Sequence, residues 1–91
     1  MIYRRSRRFK LAYESLPLHI QNKTVKVFLL FRDNPRHPSL QIRKIQGVAN
    51  VWEGRIDLAY RFTFHYDTDK SGEVVCVFRN IGAHSILDEA P

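Results

Sequence analysis

The chain reads as an α+β domain in which two N-terminal helices, forming a helical hairpin, pack on one face of a small, largely antiparallel sheet. Three observations predict this. Between Phe9 and Phe31 the apolar residues recur at helical spacing. From Leu40 onward they alternate with polar residues or run in short β-branched and aromatic stretches bounded by turn formers. With 91 residues and 44% hydrophobic content, the sequence suits one small core, so residues 1–91 read as a single domain.

Met1 to Arg5 is expected to be a short edge strand whose basic side chains discourage edge-to-edge pairing. Ser6 can cap a helix carrying Phe9, Ala12, Tyr13 and Leu16 on one stripe. Pro17 stops that helix and suits the first position of the next, where Ile20, Thr24, Val27, Phe28 and Phe31 make the packing stripe. Asp33, Asn34, Pro35 and Pro38 end the helical part. The run Leu40–Ile45 alternates as a strand, Gly47–Asn50 forms a turn, and Asp67–Gly72 turns the chain again. Glu73–Asn80 is a β-branched and aromatic run suited to a buried central strand. Gly82 is expected to break it, leaving Ala83–Glu89 as a short terminal helix or a tail.

The stretch VWEGRIDLAYRFTFHY, residues 51–66, organises the rest. As a β-hairpin it places Trp52, Gly54 and Ile56 on the side of Tyr60, Phe62, Phe64 and Tyr66, because strand side chains alternate. The opposite face then carries Glu53 and Arg55 beside Arg61, Thr63 and His65. Closure at Asp57–Ala59 brings a carboxylate and two guanidinium groups within cross-strand reach. Such a face makes a poor core and a ligand platform, and it is expected to stay open.

The net charge is +6 and unevenly spread. Up to Lys44, eleven Lys and Arg face two acids, a balance of +9; the remainder carries four Lys and Arg against seven acids, a balance of −3. The basic half points to a polyanion or an acidic partner protein, or to a basic surface that serves solubility alone. Cys76 is the single cysteine, so no internal disulfide is possible and a reducing compartment fits. No apolar run reaches membrane-spanning length, and the Arg-rich start has no signal-peptide core after it, so a cytoplasmic protein is expected. The histidines, at 19, 37, 65 and 84, form no close pair and have no second cysteine to join; neither a metal site nor a phosphate-cradling glycine loop is legible. No cofactor is called for.

The runs NPRHPSLQIRKIQG, VWEGRI, YRFTF and RNIGAHSIL, taken in that order, resemble the RelE/ParE superfamily of bacterial toxin–antitoxin toxins, and within it the RelE-type messenger-RNA interferases. The resemblance covers nearly the whole chain and matches the element order above. It implies a sheet that cradles mRNA, usually on the ribosome, and cleavage without a metal by attack of the RNA 2′-hydroxyl on the adjacent phosphate. That reaction needs a base, cations for the developing charge and an acid for the leaving 5′-oxygen. The resemblance casts Glu53 as base, Arg55 and Arg61 as a phosphate clamp, and His84 as acid. Arg43, Lys44, His65 and Arg79 are expected as further RNA-binding residues. Many members carry an aromatic residue soon after the position of His84; here Ser85, Ile86 and Leu87 follow.

The implied partners are a cognate antitoxin, mRNA and the ribosome, with DNA reached only through the antitoxin. Two other readings stand beside the nuclease: a ParE-type inhibitor of DNA gyrase that cleaves no RNA, and a catalytically decayed homologue. Glu53 and Arg55 also fit an ordinary exposed strand pair, and His84 also fits a cap of the final helix.

Overall fold

Five strands form one sheet in the computed structural model, which describes residues 1–91. They are β1 (Ile2–Arg5), β2 (Arg43–Lys44), β3 (Trp52–Arg55), β4 (Tyr60–Thr68) and β5 (Val74–Ala83), in the spatial order β1-β5-β4-β3-β2. All neighbours run antiparallel except β1 and β5. Between β1 and β2 lie α1 (Arg7–Glu14), α2 (Leu18–Asp33) and a 3-10 turn at Pro38–Leu40. A four-residue helix, α3 (Ile86–Glu89), ends the chain.

Ser6 starts α1 as expected, its hydroxyl accepting from Phe9 N–H at 3.0 Å. The same hydroxyl donates to the Arg79 carbonyl at 2.9 Å, which ties the start of α1 to β5. Pro17 sits one position earlier than expected, as N-cap of α2, with its carbonyl taking the Ile20 and Gln21 N–H groups. The Gln21 side chain donates back to the Tyr13 and Leu16 carbonyls, closing the helical hairpin on orphaned groups at the end of α1.

The helices pack on the sheet face that holds Phe62, Phe64, Cys76, Phe78 and Ile81, and Phe9, Ile20 and Phe31 complete this core. Aromatic rings dominate it: Phe28 stacks on Phe78 with centroids 4.3 Å apart and meets Phe62 edge-on at 5.0 Å. Thr24, buried in α2, is satisfied by donating to the Ile20 carbonyl at 2.8 Å. The solitary thiol of Cys76 is pushed up to about 12 by burial, as an inert core position should be.

Three expectations need correction. The strand expected over Leu40–Ile45 is reduced to Arg43–Lys44, because Pro38 starts a 3-10 turn and Gln41 adopts a left-handed backbone at φ 46°. That kink resets the alternation, so Leu40 and Ile45 are both buried despite opposite parity. Gly82 does not break β5, which runs to Ala83; the missing side chain instead lets α3 approach, since a Cβ there would stand 3.0 Å from Ile86 Cγ2. And the face away from the helices is not open throughout, because residues 84–91 fold back across part of it.

Candidate functional site

Strand register decides which side chains meet on the polar face. Arg55 stands opposite Arg61, and Arg61 opposite Gly82. One pair further along, Arg43 faces Glu53, Glu53 faces Thr63, and Thr63 faces Asn80. Successive same-face positions on a strand are about 7 Å apart. Beyond the far end of the first row, His84 N–H bonds the Ala59 carbonyl at 3.0 Å, which anchors the exposed histidine beside the β3–β4 loop. The arginine row therefore lies between Glu53 on one side and His84 on the other.

Glu53 is buried, and its Oε1 accepts from Arg43 Nε at 3.1 Å. Arg55 is half-buried at the end of β3. Arg61 turns one guanidinium nitrogen back to the loop, where Nη1 donates to the carbonyls of Asp57, Leu58 and Tyr60. Asp57 makes the loop rigid from the other side. Its Oδ1 accepts from the Ala59 and Tyr60 N–H groups, both at 2.9 Å, and its Oδ2 pairs with Lys23 of α2 at 3.3 Å. Partial desolvation alone would raise the Asp57 carboxyl, but these hydrogen bonds and the Lys23 cation outweigh it and hold the group below its usual range.

Arg79 occupies a β-bulge. The β4–β5 register passes from Thr63 opposite Asn80 to Phe64 opposite Phe78, leaving Arg79 as the extra residue. Phe78 and Ile81 consequently both reach the core, while Arg79 and Asn80 both turn to the polar face. Arg79 Nη1 lies 2.9 Å from His65 Nδ1, an arrangement that requires the imidazole nitrogen to accept. Burial and the Arg79 cation hold His65 below its ordinary range, against a smaller opposite pull from Asp67. Arg8 Nε donates to the Arg79 carbonyl at 3.2 Å, which adds a further cation at this end.

Of the residues predicted from sequence, Glu53, Arg55, Arg61 and Arg43 gather on one side of the sheet with His84 at its margin, and His65 with Arg79 forms a second group on the same face. Lys44 falls on the opposite face, with its ammonium 5.6 Å from the Trp52 ring centroid. Sequence reasoning missed Asn80, whose facing depends on the bulge, and gave no role to Thr63, although its strand parity already placed it here. No group of three His, Cys, Asp or Glu side chains is placed to hold a metal, and no helix is long and apolar enough to cross a membrane.

No family sequence model matches the chain, and no curated protein sequence matches it significantly. Solved structures do match. A YoeB/ParE toxin from Agrobacterium tumefaciens superimposes with a TM-score of 0.71 at 17% identity, over 92% of this chain and 99% of that one. YafQ from E. coli strain BL21(DE3) gives 0.72 at 16% identity, over 93% and 94%. The RelB–RelE antitoxin–toxin complex from Methanococcus jannaschii gives 0.68 at 20% identity, over the full length of both chains. The helical hairpin, the five-stranded sheet and these superpositions together establish that the chain has the fold of RelE/ParE-type toxins.

Proposed function

We propose that this protein is the toxin of a toxin–antitoxin pair and acts as a metal-independent endoribonuclease on mRNA engaged by the ribosome. The observation that carries this reading is the order of groups along the polar face: Glu53, then the opposed Arg55 and Arg61, then His84. In-line displacement at phosphorus needs a base and an acid on opposite sides of the phosphate, with cations at the phosphate itself. A phosphate seated on the arginine row meets that requirement.

In this scheme Glu53 removes the proton from the RNA 2′-hydroxyl as its oxygen attacks phosphorus. Arg43 orients the carboxylate through Oε1 and leaves Oε2 to accept. Arg55 and Arg61 balance the charge that grows on the non-bridging oxygens; Arg61 has Nε and Nη2 for this while Nη1 stays on the loop. His84, as imidazolium, protonates the 5′-oxygen as its bond to phosphorus breaks. The products are a 2′,3′-cyclic phosphate and a 5′-hydroxyl. The positive charge clustered in Arg4, Arg5, Arg7, Arg8 and Lys10 fits contact with ribosomal RNA. A cognate antitoxin is the protein partner by analogy with the M. jannaschii complex, and contact with DNA falls to that partner.

The test is brief expression followed by mapping of RNA ends on translating messages, run beside a gyrase supercoiling assay. New 5′-hydroxyl ends that disappear in Arg55→Ala support the nuclease. Gyrase poisoning with intact RNA replaces it by the gyrase-inhibitor reading.

A further inference from the structure

We propose that Thr63, Asn80 and Arg79 form a binding subsite for a backbone phosphate of the RNA strand, next to the cleavage row, and that residues 85–91 act as a strap which the RNA displaces. The proposal deepens the RNA reading above and rests on it. The three side chains come from two adjacent strands and converge on two backbone oxygens of the strap. Thr63 Oγ1 donates to the Pro91 oxygen at 2.7 Å, Arg79 Nε donates to the same oxygen at 3.2 Å, and Asn80 Nδ2 donates to the Ala90 carbonyl at 2.8 Å. Hydroxyl, guanidinium and amide N–H groups aimed at two nearby oxygens are the donor set a phosphodiester needs.

The donors are held by the sheet, and the strap by few contacts. Thr63 is fully buried and Asn80 nearly so, both on paired strands. The Asn80 amide has a defined orientation, since its Oδ1 takes the Ile81 N–H at 2.9 Å and so turns Nδ2 toward the strap. The strap helix α3, by contrast, has four residues, none of them buried, and no side-chain cap. Its anchorage is Ile86 against Gly82 and the three hydrogen bonds above, while His84 before it stays bonded to the Ala59 carbonyl. Segments held so lightly open at low free-energy cost.

Exchange of the Ala90 carbonyl for a phosphate oxygen converts a neutral hydrogen bond into a charge-assisted one, which favours displacement. The cationic surface continues past Arg79 into a cavity of about 270 Å³ lined by Ser6, Arg8, His65, Val77 and Arg79, along which the strand can run. Glu53, the one carboxylate in the Thr63 row, is neutralised by Arg43.

The probe is a 2′-O-methyl oligoribonucleotide of mixed sequence, which binds without being cut. On saturation, the amide hydrogens of Asp88, Glu89 and Ala90, bonded within the strap in the free protein, are expected to exchange at least several-fold faster. Thr63→Val and Asn80→Ala are each expected to weaken binding roughly tenfold, as loss of a hydrogen bond to a charged group does. Thr63→Ser, which keeps the hydroxyl, is expected to bind like the parent protein. Ile86→Ser loosens the strap without touching a donor and is expected to tighten binding several-fold. Unchanged strap exchange on binding, no binding of the oligonucleotide, or parental affinity in Thr63→Val overturns the subsite. A protein that cuts RNA with its strap in place refutes this proposal alone; one that binds the probe, releases the strap and never cuts RNA refutes the nuclease reading alone.

Discussion

Arg55 and Arg61 stand directly opposite each other across β3 and β4, two like charges paired on one face of the sheet. Like charges in this position cost roughly 0.2–1 kcal/mol, an expense without return in the free fold unless an anion joins them. The two are not equivalent, because Arg61 also caps loop carbonyls whereas Arg55 stands at the strand end. Arg55→Ala is expected to reduce RNA cleavage by about 10²–10³ and to leave the melting temperature unchanged or higher. Arg61→Ala is expected to reduce both. Cleavage rates from 5′-hydroxyl ends, set beside thermal melts, separate the two effects; equal loss of stability in both variants would make the pair structural.

Gly54 carries a packing requirement rather than a turn. A Cβ at this position would lie inside the van der Waals envelope of the Phe62 ring and 2.8 Å from Ile42 Cδ1. Phe62 is fully buried among the core rings and cannot swing away. Gly54→Ala is therefore expected to destabilise by about 1–3 kcal/mol, which for a domain of this size lowers the melting temperature by roughly 4–8 °C per kcal/mol. An unchanged melt would show that β3 shifts to make room.

Much of this architecture was legible in residue patterns. The alternation through Trp52–Arg55 and Tyr60–Tyr66 gave the hairpin its facing, and Ser6 with Phe9, Ala12 and Tyr13 marked the first helix. The polar row of Glu53, Arg55 and Arg61 followed from the same parity. Three features lay beyond it. A bulge adds one residue without a composition signal, so Asn80 could not be assigned a face. The left-handed Gln41 looks like any strand glutamine until its dihedral is known. The strap across Thr63 is a contact over 28 positions of sequence, made by backbone oxygens that every residue possesses.

His65 accepts from Arg79 through a ring nitrogen that must carry no proton, and its ionisation is held below the ordinary value of 6.5. In the unfolded chain that restraint is gone, so the unfolded state binds the proton more tightly. Stability from this contact is present above about pH 6.5 and is lost as pH falls below it toward the folded-state ionisation. Melting temperatures measured between pH 8 and 5 are expected to fall more steeply in the parent protein than in His65→Gln, whose amide oxygen still accepts without titrating. Parallel profiles would place the acid sensitivity elsewhere.

Glu53 separates chemistry from binding most sharply. Its carboxylate is buried, paired with Arg43 and flanked by the Thr63 hydroxyl position, so an isosteric Glu53→Gln keeps the packing and an acceptor oxygen while removing the base. Loss of a positioned base costs about 10²–10⁴ in rate, whereas removal of one negative charge from a cationic face leaves polyanion affinity equal or slightly higher. Glu53→Gln is therefore expected to cleave far more slowly than the parent protein while binding ribosomes as well. Arg43→Ala, which leaves the carboxylate in place but unaligned, is expected to fall between the two in rate. Single-turnover cleavage and co-sedimentation with ribosomes measure the two quantities independently, and a parallel loss of both in Glu53→Gln would reduce Glu53 to a structural partner of Arg43.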